Sequence, residues 1–202
     1  INVAGTIVGA TPEANYIYMT NCSGAGGTTQ SFPANDVWYS FVASGYQALY
    51  FNTSAFNNTA IGSRTLYSNT IGFDNSAMGF DALYNNTEGN NNIGIGSYAL
   101  YGNTVGNQNS AFGYQAMKFN TIGSANTANG LNALYFNTTA SQNVAIGMSA
   151  LQSQSYSNSN TVWNSNNVAV GYQAVFSNDP TSISNGISNT AIGNGALYSN
   201  TI

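Results

Sequence analysis

The sequence predicts an all-β protein, a β-solenoid of about nine 17-residue coils behind a short non-repeating N-terminal segment. Three observations predict it. A pentad of the form Asn-x-Ala-x-Gly returns at a fixed spacing. Its last residue is glycine in every copy. The stretches between successive glycines are too short, and too often cut by Asn-Thr, to sustain a helix.

The pentad first reads Asn-Thr-Ala-Ile-Gly at 58–62. It returns at 75–79, 92–96, 109–113, 126–130 and 143–147, and after two longer gaps at 167–171 and 189–193. Phe41-Val-Ala-Ser-Gly45 is a degenerate first copy. A fixed short period means one structural unit stacked on itself. With the coil numbered from the Asn, position 5 is Gly45, Gly62, Gly79, Gly96, Gly113, Gly130, Gly147, Gly171 and Gly193. Glycine at one place in every copy predicts a corner with positive φ or a close approach of two backbones.

Position 3 is Ala or Gly throughout, and position 4 is mostly large and apolar: Ile61, Met78, Ile95, Phe112, Ile146, Val170 and Ile192. Such alternation in size suits a short strand with two different faces. Each coil is therefore expected to hold two short strands and tight corners. Equivalent residues would lie ~4.8 Å apart along the axis, giving a rod on the order of 40 Å long.

Stacking in register gives the other positions their meaning. Position 1 supplies Asn58, Asn75, Asn92, Asn109 and Asn143, expected to form amide ladders. Position 9 supplies Leu49, Leu66, Leu83, Leu100 and Leu134, expected to form an apolar column. Position 10 supplies Tyr50, Tyr67, Tyr84, Tyr101 and Tyr135. Position 12 is Asn in all copies but one, where Gln154 stands in. A thin coil has little interior. It cannot bury the position 4, leucine and tyrosine stripes together, so one stripe is expected to pack against another copy of the chain. These leucines, tyrosines and asparagines are the candidate stacking and self-assembly residues.

Two coils carry insertions, expected around 155–166 (with Trp163 in the bulge) and around 180–185, both leaving the coil at the same edge. Residues 1–40 do not follow the repeat. They hold strand candidates at Thr6–Val8, Tyr16–Met19 and the alternating run that begins at Asn35. Too short for a core of their own, they are expected to cap the first coil or to donate a strand to a neighbour. Ile1 reads as a processed or trimmed start. The last copy stops at Asn200-Thr201-Ile202, so its coil is completed by further chain or by another molecule.

Composition narrows the function classes. Charged residues make up 4% of the chain, against about a quarter in an ordinary soluble domain. With two basic residues, Arg64 and Lys118, there is no patch to neutralise phosphates, and nucleic acid is not an expected partner. No stretch approaches the roughly 18 apolar residues of a membrane span, so membrane insertion is not expected. There is no His, which removes the usual acid–base group and the commonest metal ligand. No catalytic residue and no cofactor are expected. Asp74, Asp81 and Glu88, seven apart, offer oxygen ligands for Ca²⁺, but solvated surface carboxylates explain them more simply.

Repeats of the form Asn-Thr-Ala-Ile-Gly-x-x-Ala-Leu-Tyr-x-Asn-Thr-x-Gly resemble those of bacterial and phage surface fibres, including head-like regions of trimeric autotransporter adhesins and tail-fibre shafts. The resemblance covers about residues 41–202. It implies an extracellular or cell-surface, trimeric or filamentous β-solenoid used for display or attachment. Gly9-Ala-Thr with Asp36-Val-Trp-Tyr-Ser-Phe-Val-Ala43 also resembles the opening of β-sandwich modules in secreted bacterial surface proteins.

The expected function is that of a structural subunit in a self-assembling extracellular fibre, possessing an adhesive role, with the chain itself as partner in a homotrimer or a helical filament. A carbohydrate-binding adhesin module, with the tyrosine row facing surface glycans, is the alternative. An ice-binding surface built on the position 13 threonines is a third reading.

Overall fold

A computed structural model of the chain describes residues 16–18, 41–154, 161–178, 180, 182 and 184–200. The strand expected at Thr6–Val8, Cys22 and the run from Asn35 to Ser40 lie outside these residues.

The described chain is a parallel β-solenoid with no helix. After β1 (Tyr16–Tyr18), one strand opens each coil: β2 (Phe41–Ser44), β3 (Asn58–Ile61), β4 (Ser76–Met78), β5 (Ile93–Ile95), β6 (Ser110–Phe112) and β7 (Thr127–Asn129). The series continues, past the short β8 (Ala140–Ser141), with β9 (Val144–Ile146). Beyond β10 (Ser153–Gln154) and β11 (Trp163–Asn164) come β12 (Val168–Val170), β13 (Ser177–Asn178), β14 (Thr190–Ile192) and β15 (Ser199–Asn200). Strands β2 to β7, β9, β12 and β14 stack as one parallel sheet, and β1 lies antiparallel on β2 at its edge.

The register follows the period. Ala60 faces Ala77, Ala77 faces Gly94 and Gly94 faces Ala111. The longer coils keep the same register, with Ala145 facing Ala169 and Ala169 facing Ala191.

Between the strands the backbone does something the pattern of residue types did not announce. Regular coils hold one strand, not two, except the coil from Asn126, which adds the short β8 beside a longer neighbour. Positions 7 and 9 are both left-handed: Arg64 and Leu66 have φ of 54° and 49°, Tyr98 and Leu100 of 61° and 53°. A left-handed L-residue costs free energy, and leucine gains nothing locally from it. The return is in hydrogen bonding. The flip at position 7 turns Arg64 N–H back to the carbonyl of Tyr46 at 2.7 Å, while Leu66 N–H points forward to the carbonyl of Ala82 at 3.0 Å. Each coil is thereby bonded to the one below and the one above without β geometry. Paired two-residue strands appear on this side only in and beside the longer coils, as β10–β13–β15 and β8–β11.

The interior is as thin as the period implies. Two small residues and one larger apolar residue fill each coil: Ala77, Ala82 and Leu83 in one, Ala111, Ala116 and Met117 two coils on. Position 3 is small because it faces this narrow space. Position 4, its neighbour on the strand, points outward.

The corner glycines show both features expected of them. Gly96 has φ of +128°, and a Cβ there would stand less than 3.0 Å from the Gly113 carbonyl of the next coil. The row of corner glycines is a close approach of coil to coil, matched by the glycines at position 15, where a Cβ on Gly72 or Gly89 would meet the next coil's carbonyl equally closely.

Candidate functional site

The position 9 leucines Leu66, Leu83, Leu100 and Leu134 are fully buried, and Leu49 nearly so. They stack within the chain and present no surface to another molecule. Position 1 and position 12 asparagines from Asn58 to Asn178 are buried with them. Asn58 Nδ2 donates to the Gly72 carbonyl at 2.7 Å, and Asn58 Oδ1 accepts from the backbone N–H of Asn75 at 2.9 Å. Asn75, Asn92 and Asn109 repeat the pattern. Asn143 accepts from Asn167 N–H across the longer coil at 3.0 Å.

The unbroken amide ladder is at position 12. Asn86 donates to Asn69, Asn103 to Asn86, Asn120 to Asn103 and Asn137 to Asn120, all at 2.7–2.8 Å. It stops where Gln154 replaces Asn. The longer side chain reaches instead to Asn143 Oδ1 and Ser165 Oγ, and Asn137 Oδ1 is left buried without a partner.

Two surfaces remain outside. The first is the outward face of the large sheet. Ile61, Met78, Ile95, Phe112 and Ile146 form a row, each 37–46% exposed. Beside it at position 6 stand Tyr46, Phe80, Tyr114, Leu131, Met148 and Tyr172, also exposed. No residue at positions 2, 4 or 6 in any coil is charged. Asn129 interrupts the row once.

The second surface is the tyrosine ladder. Tyr50, Tyr67, Tyr84 and Tyr101 stack ring on ring, with centroids 5.3, 4.9 and 5.3 Å apart and planes within 8°, 3° and 14° of parallel. Phe51 packs edge-on against Tyr50 and Tyr67. Burial of the ring, and then its neighbours Tyr84 and Tyr50, raise the Tyr67 phenol above its ordinary pKa of 10.0. Lys118 holds position 10 after Tyr101 and ends the ladder; its ammonium lies over Tyr98, Phe119 and Tyr135. Tyr135 stands beyond this break, edge-on to Phe119 and Phe136.

The three carboxylates weighed as Ca²⁺ ligands do not converge. In a 17-residue coil a spacing of seven puts Asp74, Asp81 and Glu88 at positions 17, 7 and 14, on different sides. Asp81 is buried against Arg64, and Asp74 and Glu88 are exposed. No acidic cluster able to hold a metal occurs among the described residues.

The threonine row is also committed. Thr53 Oγ1 donates to the Thr70 carbonyl at 2.8 Å, Thr70 to Thr87 at 3.0 Å and Thr121 to Thr138 at 2.9 Å. Both insertions leave the coil at one corner, since Gln154 pairs with Asn178 before them and the Gly186 carbonyl takes the role of Gly72 after the second. The first is narrower than expected. Trp163 is not in the bulge but buried in β11, facing Ala140 of the preceding coil.

The fold and these surfaces define a parallel β-solenoid with an uncharged apolar face and an aromatic ladder. No family model, no curated protein and no solved structure matches the chain.

Proposed function

We propose that the chain is a structural subunit of a self-assembling extracellular fibre or filament. The observation that carries this is the outward face of the sheet, where Ile61, Met78, Ile95, Phe112 and Ile146 stand exposed in line with no charge among them. Monomeric proteins rarely leave such a contiguous apolar face in water. Nine rungs at ~4.8 Å and a strand-side width of about 15 Å give a face of roughly 600 Å², near the lower bound for a specific interface per partner. Low overall charge removes the repulsion that would keep copies apart. The resemblance of the repeat to surface-fibre repeats supports the extracellular setting, an adhesive role, and a homotrimer or helical filament.

A carbohydrate-binding module is the second reading, resting on the partly exposed tyrosine ladder. The ladder supports it less than the apolar face supports assembly. Tyr67 and Tyr84 have both ring faces covered by neighbouring tyrosines, so a sugar would meet ring edges. The threonine hydroxyls of the ice-binding reading already donate within the coil stack.

Negative-stain microscopy and sedimentation velocity test the proposal. Wild-type protein should form rods or filaments, and Ile95→Lys with Phe112→Lys should give dispersed single chains with an unchanged β-type circular dichroism spectrum. Dispersed wild-type monomers at high concentration would overturn it.

A further inference from the structure

We propose that the tyrosine ladder is an oxidative cross-linking site, at which ladder tyrosines 17 residues apart couple to dityrosine and staple one coil to the next within a single chain. This inference is independent of the assembly reading.

Four consecutive coils place a phenol at position 10, and no other row of the described solenoid stacks phenols in succession. The ring planes of Tyr67 and Tyr84 lie within 3° of parallel at a centroid distance of 4.9 Å, with Tyr50 and Tyr101 continuing the stack at 5.3 Å on either side. Their backbones are pinned. The carbonyl of Tyr67 accepts from Phe51 N–H, that of Tyr84 from Ser68 and that of Tyr101 from Asn85, at 3.0–3.1 Å. The rings can tilt, but their Cα atoms cannot drift apart. Tyr50 is 57% exposed and the other three are half-buried, so an oxidant reaches the stack from solvent.

The step requires a peroxide and a haem peroxidase to activate it. Each of two phenols gives one electron and one proton to the oxidant and becomes a neutral tyrosyl radical with spin on the ring carbons ortho to oxygen. The two radicals join through one such carbon from each ring. The hydrogens on those carbons leave as protons and the oxygens are reprotonated, restoring both phenols. In sum, two C–H bonds are lost and one C–C bond forms, and one hydrogen peroxide becomes two waters.

The chain carries its own comparisons. Phe176 and Tyr198 stack at 5.0 Å and 7°, the same arrangement with one phenol missing. Tyr98 and Tyr114 are both phenols but meet edge-on at 6.3 Å and 89°.

Dilute wild-type protein is treated with horseradish peroxidase and hydrogen peroxide, then followed by dityrosine fluorescence, denaturing gel and peptide mass mapping. The expected result is fluorescence at unchanged chain length, with cross-links mapping to Tyr50–Tyr67, Tyr67–Tyr84 or Tyr84–Tyr101, each two hydrogens lighter than the separate peptides. Tyr67→Phe with Tyr84→Phe leaves the remaining ladder phenols three coils apart and should reduce the yield to that of the urea-unfolded chain. Tyr98→Phe with Tyr114→Phe should leave it intact. Cross-links scattered over other tyrosines, linkage only between chains, or an undiminished yield in the Tyr67 and Tyr84 double variant would each overturn the proposal. The wild-type map decides by itself if that variant fails to fold.

Discussion

Arg64 and Asp81 occupy the same position in successive coils, and the guanidinium Nε and Nη2 donate to the two carboxylate oxygens at 2.8 and 2.6 Å. The fork is paired on both prongs, and the Arg64 pKa is raised above its ordinary value by these hydrogen bonds. The guanidinium also lies over the rings of Phe80 and Tyr84, 5.0 and 5.2 Å from their centroids. Asp81 is almost fully buried. Removing one partner of such a pair leaves the other charge uncompensated, which costs more than removing both. Arg64→Ala is therefore expected to lower the thermal midpoint more than Arg64→Ala combined with Asp81→Asn. Circular dichroism melts of the single and double variants check the order; a double variant less stable than Arg64→Ala would contradict it.

Gly96→Ala and Gly193→Ala separate two causes of the corner glycine. Both residues have φ near +130°, so an added Cβ is strained at either site. At Gly96 that Cβ also meets the Gly113 carbonyl and backbone, whereas at Gly193 it meets only Ala196 Cβ at 3.9 Å. Backbone strain of this kind costs about 1–3 kcal/mol. Gly193→Ala is expected to fall in that range, and Gly96→Ala to exceed it, at roughly 4 kcal/mol or more, because two stacked backbones must separate. Urea denaturation of the two variants gives the difference directly.

The period, the stacking register and the corner glycines were legible because each shows as identity between copies. Position 9 was legible as a column for the same reason. The outward direction of position 4 follows only once position 3 is recognised as the inward residue: alanine there leaves no room for a large neighbour inside. The role of Ala82 and its equivalents at position 8 was missed: the alanine recurs between copies, but a small residue is accommodated equally on an inward or an outward face, so its recurrence alone does not reveal its direction. So were the left-handed residues at positions 7 and 9. Gln47, Arg64, Asp81 and Tyr98 share that conformation and nothing else, so it is fixed by bonding between coils, not by local preference. The Arg64–Asp81 pair was present in the sequence as a spacing of 17, which in the regular coils puts two side chains at the same position of successive rungs.

Asn103 tests whether the buried ladder needs amides specifically. Its Nδ2 donates to Asn86 Oδ1 at 2.8 Å and to the Gly106 carbonyl at 3.0 Å, and its Oδ1 accepts from Asn120. Asn103→Asp keeps the shape but turns two donor contacts into oxygen facing oxygen. A buried carboxylate so placed is expected to cost about 3–5 kcal/mol at neutral pH. Burial and the facing oxygens would raise its folded-state pKa above the unfolded value of about 3.9. The folded variant then binds more protons between those two values, so its stability should recover as pH falls through that window. Asn103→Ala, having nothing to titrate, should show no such recovery.

Tyr67 should make the protein sensitive to alkali. Burial of its ring, with Tyr84 and Tyr50 beside it, holds the Tyr67 phenol above its ordinary pKa of 10.0 in the folded state. The sign follows from proton counting. Above the ordinary value the unfolded chain releases the Tyr67 proton while the folded chain retains it, so each further rise in pH favours unfolding. The neutral-phenol stabilisation is complete below pH 10.0 and is lost as pH rises through the folded-state value. Urea midpoints measured at neutral pH and at about pH 11 should therefore fall for the wild type. Tyr67→Phe should fall less, since the ring stays stacked between Tyr50 and Tyr84 without a proton to lose. An equal alkaline loss in wild type and Tyr67→Phe would place the sensitivity elsewhere than in this ring.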